Sequence, residues 1–218
     1  MCMKTLDIKG NTYLHTLSEG NNEWYYALEG DGDLYEAQDI FRYDGSFAGN
    51  GLYLVHYPEG TVYTLHEKKK NTACGQPVGH KGKASFVTVD FEEGIIEIYT
   101  FDCQSHACFL IDSLPLSSVK DCYNLRLHEY PLTLSRQDNS DTFEVIWPER
   151  KDIPSAPNES FFYREDNKLY FSVWHEDPDY REEVIIRDLQ SGEIMERYPG
   201  DIMILPDGQL WYLSGKGK

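Results

Sequence analysis

The stretch Val184-Ile185-Ile186-Arg187-Asp188-Leu189-Gln190-Ser191-Gly192-Glu193-Ile194 sets two apolar runs on either side of a polar break that carries a glycine. Branched residues on each flank favour a pleated, half-buried strand. The Gln190-Ser191-Gly192 break supplies the positive-φ position that closes an antiparallel pair at low cost. The decisive reading is therefore a β-hairpin.

The same punctuation recurs along the chain. Pro58-Glu59-Gly60 separates Leu52–Tyr57 from Thr61–Glu67, and Glu92-Glu93-Gly94 separates Ser85–Phe91 from Ile95–Phe101. Pro206-Asp207-Gly208 repeats the pattern near the end. Further strands are expected at Thr12–Leu17, Trp24–Leu28, Ala107–Ser113, Tyr123–His128, Thr142–Trp147, Phe161–Arg164, Lys168–Trp174, Glu193–Tyr198, Asp201–Leu205 and Gln209–Leu213. Helical periodicity is nearly absent; only Leu116–Cys122, after Pro115, suits a short helix. In Lys168–Trp174 one face carries Leu169, Phe171 and Val173 and the other Tyr170, Ser172 and Trp174. Ile95, Tyr99 and Phe101 likewise oppose Ile96 and Ile98, so these strands need cover on both sides. Asn71–Gly82 and Pro148–Glu159 read as loops. The fold class expected is all-β: one domain, 1–218, of antiparallel repeats, with 148–159 as the candidate linker. A β-sandwich or open barrel is the alternative.

Internal echoes point the same way. Val173-Trp174-His175-Glu176-Asp177-Pro178 matches Arg126-Leu127-His128-Glu129-Tyr130-Pro131, and Thr64-Leu65-His66-Glu67 is a third His-Glu copy. The quoted hairpin, with Gln209–Leu213 after it, resembles the outer hairpin of β-propeller blades of the tryptophan-aspartate and pyrroloquinoline-quinone types. Those read hydrophobic-x-Asp-x-x-(Ser/Thr)-Gly-(Glu/Lys)-hydrophobic. The resemblance covers residues 168–213, and no other unit repeats the Asp-x-x-Ser-Gly wording. No Trp-Asp follows Gly79-His80, so the tryptophan-aspartate subtype is not matched. A blade spans ~40–50 residues, so the resemblance implies about four or five four-stranded units.

Charge narrows the partners. The formal net charge is −17, a field that repels nucleic-acid backbones and anionic membranes. Lys68-Lys69-Lys70 is the one basic run, and reads as a solvated loop tip. Met1-Cys2-Met3-Lys4 opens without an apolar signal core, and no stretch reaches the ~20 apolar residues of a membrane helix. The five cysteines are an odd number in a chain of this size. Reduced thiols and a cytoplasmic location are therefore expected.

Few residues nominate chemistry. Cys103, His106, Cys108 and Cys122 are of the types zinc takes, but their spacing suits a strand–turn–strand better than a zinc knuckle. His66, His128 and His175, with Trp174, would meet at one face if equivalent strand ends emerge together. Glu29-Gly30-Asp31-Gly32-Asp33 lacks the glycine and glutamate of a calcium loop and reads as an acidic hairpin turn. Trp24, Tyr25, Tyr26, Trp147, Trp174 and Trp211 are candidates for a sugar-stacking platform, though strand aromatics more often pack cores. Nucleophile elbow, P-loop and dinucleotide fingerprint are absent.

The expected function is a non-enzymatic binding module for a protein or small-molecule ligand, with no cofactor. A carbohydrate- or ester-acting hydrolase using carboxylates or histidine, and a metal-binding protein, are the alternatives.

Overall fold

The computed structural model describes residues 3–18, 23–30, 32–129, 131–138, 141–205 and 209–214. Its contacts group into two compact units, 1–122 and 123–218. Each unit holds two antiparallel sheets.

In the first unit, sheet one runs β1 (His15–Thr16), β2 (Trp24–Leu28), β3 (Leu52–His56), β4 (Thr61–His66) in chain order. Alternation sends Trp24, Tyr26, Leu28, Leu52 and Leu54 to one face and Ala27, Tyr53 and Val55 to the other. Leu6, Ile8 and Leu14 of the N-terminal segment cover the second face. Between β2 and β3 the chain forms α1 (Leu34–Asp44). Asp33 caps it by accepting the N–H groups of Tyr35 and Glu36, and Gly45, in the left-handed region, ends it. The acidic hairpin turn expected at Glu29–Asp33 is thus a helix start; Asp31 lies outside the described residues.

Sheet two holds β5 (Thr72–Cys74), β6 (Val78–His80), β7 (Lys83–Asp90), β8 (Ile95–Asp102) and β9 (Ala107–Pro115). β5 pairs with Thr88–Asp90 and β6 with Lys83–Ser85, so they form one interrupted lane beside β7. Pro77, which has no N–H to donate, lies in the break. The stretch 71–82, expected as a loop, therefore carries ladder pairing. Cys74, Ala84, Phe86 and Phe101 meet the inner face of sheet one, and Phe86 stacks on Tyr99. Ile96 and Ile98, on the opposite face of β8, are also buried.

In the second unit, sheet three runs β10 (Arg126–Glu129), β11 (Leu132–Gln137), β12 (Thr142–Trp147), β13 (Lys151–Pro154). The candidate linker at 148–159 contains β13, paired with β12 along Thr142–Val145. Sheet four runs β14 (Glu159–Glu165), β15 (Lys168–His175), β16 (Arg181–Asp188), β17 (Ile194–Ile204), β18 (Leu210–Ser214). Leu169, Phe171 and Val173 pack with Phe143, Val145 and Ile153 of sheet three. Tyr170, on the other face, packs with Val184, Ile186 and Ile202. One strand, β17, runs through Tyr198–Asp201, where two had been expected. It changes partner from β16 to β18 at Gly200, whose φ is 136°. The Pro206-Asp207-Gly208 turn lies outside the described residues.

Every sheet follows chain order, the up-and-down meander from which propeller blades are built. A Greek-key sandwich would require crossovers, and a barrel one closed sheet. The Leu116–Cys122 helix reduces to a 3-10 turn at Leu116–Ser118. Among the described residues, no helix is long and apolar enough to cross a membrane.

Candidate functional site

The β8–β9 hairpin exposes a run of apolar side chains beside an aromatic anchor. Its turn is built by Asp102, whose Oδ1 accepts the N–H of Gln104 at 3.0 Å and of Ser105 at 2.7 Å. Those bonds hold the Asp102 carboxyl below the usual carboxylate range. His106 then takes the left-handed position, φ 57°.

That conformation lays the His106 ring over an aromatic cluster. Its centroid is 4.7 Å from that of Tyr63 and 6.3 Å from those of Trp24 and Phe101. Tyr63 Oη lies 3.3 Å from the imidazole nitrogens. The His56 ring lies tilted against Trp24, centroids 4.5 Å apart, and its Nδ1 is 2.9 Å from Glu59 Oε2. Trp24 is only 6% exposed. The cluster therefore pins the hairpin tip to sheet one and is not an open sugar platform. Of the other platform residues, Tyr26 lies in the same buried core as Trp24. Tyr25 and Tyr26 face opposite sides of β2, while Trp174 and Trp211 are exposed in the second unit.

From this anchor β9 runs along the edge of sheet two, paired only with β8 among the described residues. Cys108 to Ser113 are all exposed, and Phe109, Leu110 and Ile111 retain 52%, 52% and 43% of their accessible surface. Phe109 lies opposite Thr100 and Leu110 opposite Tyr99, so apolar groups emerge on both faces. Asp112 is the one charged residue in the strand. Such an edge is a template for another strand, which proteins ordinarily block with charge, proline or a bulge. β13, the edge of sheet three, carries Lys151, Asp152 and Pro154. β9 has a bulge at Ile111 and Pro115 at its end, but Ala107–Leu110 carries no charge, proline or bulge.

The four metal candidates do not assemble. Cys103 and His106 lie in the turn and Cys108 begins β9, whereas Cys122 is buried with its N–H bonded to Gln38 Oε1. Among the described residues, no group of three or more His, Cys, Asp or Glu is placed to hold a metal ion. Burial, with the Asp102 charge, pushes the Cys103 thiol up to about 11, and burial raises the Cys108 thiol too. Both stay protonated at neutral pH, which disfavours metal ligation and nucleophilic attack.

The histidine echo does not correspond to a structural repeat. His66 ends the fourth strand of sheet one, in the first unit. His128 lies on the first strand of sheet three, and His175 ends the second strand of sheet four. The His-Glu pairs terminate strands of different rank within their sheets. His66 is half-buried, and burial lowers its pKa. His175 Nε2 lies 3.6 Å from Glu183 Oε2. Beside it, Trp174 is exposed, and its carbonyl accepts from Asn158 Nδ2. His128 Nε2 contacts Ser135 Oγ at 2.7 Å, and Ser135 is 3% exposed.

Sequence reasoning reached the cysteine–histidine turn but not Tyr63 or the open edge. The signal for the edge was present: Cys108-Phe109-Leu110-Ile111 is an apolar run without the Lys or Pro that guards β13.

No protein-family model and no curated protein sequence matches the chain. Among solved structures it is similar to the β-propeller domain of the Trilobed protease from Pyrococcus furiosus, described as having an open velcro topology. The identity is 13% and the TM-score 0.48, over 95% of this chain and 70% of that one. It is also similar to a bifunctional GH43-CE protein of Bacteroides eggerthii, with 10% identity and a TM-score of 0.40, over 91% of this chain and 30% of that one.

Proposed function

We propose that the protein is a non-catalytic binding module that captures an extended segment of another protein by adding it as a strand beside β9. The observation that supports this reading is the unguarded edge at Ala107–Leu110, with Phe109 and Leu110 exposed on opposite faces. Main-chain hydrogen bonds supply affinity in such pairing, and alternate side chains supply selectivity. The net charge of −17 favours a segment rich in Lys or Arg and opposes pairing with a second copy. The aromatic anchor at His106 holds the strand in place before the partner arrives, which lowers the ordering cost of binding.

Fluorescence anisotropy with a labelled peptide of alternating valine and lysine tests this. The control is the same peptide with its central valine replaced by proline, which keeps the charge but cannot complete a ladder. The expected result is saturable binding of the first and at least about tenfold weaker binding of the second, since each lost tenfold corresponds to ~1.4 kcal/mol. The double substitution Phe109→Lys/Leu110→Lys should abolish binding and leave the melting temperature unchanged. Equal binding of the two peptides, or binding that survives that substitution, refutes the reading.

A further inference from the structure

At the opposite end of sheet two from the His106 turn, the first unit contains a concavity of about 400 Å³ that opens to solvent. This volume falls in the range of small-molecule sites, roughly 300–1,000 Å³. Its floor is apolar. Phe41 of α1 stacks on Phe91 with centroids 5.5 Å apart, and Leu116 and Val119 complete the lining. The wall is fixed by an internal bond: Gln38 Oε1, on α1, accepts the Cys122 N–H at 2.9 Å, which holds the chain after the 3-10 turn against the helix. The rim carries Arg42 and Lys120; among the described residues no carboxylate is part of the lining, and Asp39 stands behind Arg42 on α1. Carboxylates outnumber cations 37 to 20 in this chain, so the lining runs against its overall composition.

We infer that this concavity is a binding site for a small organic anion with a flat apolar body, such as an aromatic carboxylate. The body would lie against Phe41 and Phe91, and the carboxylate would face Arg42 and Lys120. Arg42 Nη1 lies 3.6 Å from Asp39 Oδ1, a loose contact that leaves most of the five guanidinium N–H donors for a second acceptor. The site shares no residue with β9 and does not depend on the strand-addition reading.

Isothermal titration of the full chain with naphthoate, and with naphthamide as its neutral counterpart, tests the inference. Naphthoate should bind saturably at one site and shift the amide resonances of Phe91 and Val119. Naphthamide should bind about five- to tenfold more weakly, the share of a partly exposed charge-assisted pair. The Arg42→Gln/Lys120→Gln variant should bring naphthoate down to the level of naphthamide. Ser117→Trp, which fills the exposed mouth, should block both while the circular dichroism spectrum is retained. Equal affinity for the two compounds, naphthoate binding unchanged in the Arg42→Gln/Lys120→Gln variant, or no saturable binding would overturn it.

Discussion

Asp102 and Asp188 build the same turn in different sheets: the Oδ1 of each accepts the N–H of the serine three residues on, Ser105 or Ser191, at 2.7 Å. Asp90 does likewise with Glu93, at 3.0 Å. The residue four places after each aspartate is left-handed, with φ of 57° at His106, 73° at Gly192 and 68° at Gly94. The residue directly after each aspartate donates its N–H away from the turn, to the residue that precedes the strand paired on the other side: Phe91 to Asn71, Cys103 to Gly82, Leu189 to Asn167. The Asp102 and Asp188 turns each join the third and fourth lanes of their sheets and the Asp90 turn the second and third of sheet two, so one hydrogen-bonding rule recurs in hairpins whose sequences look unalike.

The two turn glycines should respond differently to Gly→Ala. At Gly94 an added Cβ meets nothing within 4 Å, so only the left-handed penalty applies, ~1–2 kcal/mol. At Gly192 the Cβ would also lie 2.8 Å from Pro154 Cδ. Urea denaturation should show Gly192→Ala to be the more destabilised. Equal losses would mean that Pro154 yields freely.

His128 should make stability depend on acidity. Burial, with the Arg126 charge, holds its folded pKa down at about 4, whereas a free imidazole titrates at ~6.5. Between those values the unfolded chain binds a proton that the folded chain rejects. The contribution is therefore intact above about pH 6.5 and is lost as the pH falls to about 4, amounting to about 3 kcal/mol. In His128→Gln the melting temperature should fall less over that window than in the parent protein. Identical slopes would remove His128 as the cause.

The pair Arg187–Glu159 should be costly to break from one side. Both residues are buried; Arg187 Nε and Nη2 donate to the two Glu159 oxygens at 3.0 and 2.8 Å, and Nη1 donates to the Gly192 carbonyl at 2.9 Å. Glu159→Ala leaves the guanidinium buried without its counter-charge, at a cost of about 3–5 kcal/mol. Calorimetry should show the melting transition moving down. A loss below about 1 kcal/mol would mean that water replaces the carboxylate.

Asp33→Ala removes the cap of α1, and should cost about 0.5–2 kcal/mol. Because α1 carries Phe41 and Arg42, the same substitution should also weaken naphthoate in the titration above.

How far the sequence disclosed this molecule follows from these cases. Period-two alternation marked the faces of β8 and β15 because both sides of those strands are covered by apolar neighbours. It overlooked α1, although Asp33-x-x-Glu36 is a capping pattern and Leu34, Ala37, Gln38 and Phe41 recur at helical spacing; the glycines before it gave a turn reading that absorbed the cap. The repeat was sought in His-Glu dipeptides, which merely end strands, when it resides in aspartates whose following residues differ: Gln-Ser-His in one turn, Gln-Ser-Gly in another, Glu-Glu-Gly in the third. The site was half visible. Cys103 and His106 drew notice as metal-ligand types, whereas His106 anchors a strand through Tyr63 and Trp24, contacts between segments far apart in the chain.

Amide hydrogen exchange along β8 and β9, read residue by residue by NMR with and without the valine–lysine peptide, tests strand addition most directly. β8 is paired on both sides and should be protected throughout, while alternate amides of Ala107–Leu110 should exchange rapidly in the free protein and become protected on binding. Protection of those amides before any peptide is added, or protection that appears in β18 instead, would contradict the account.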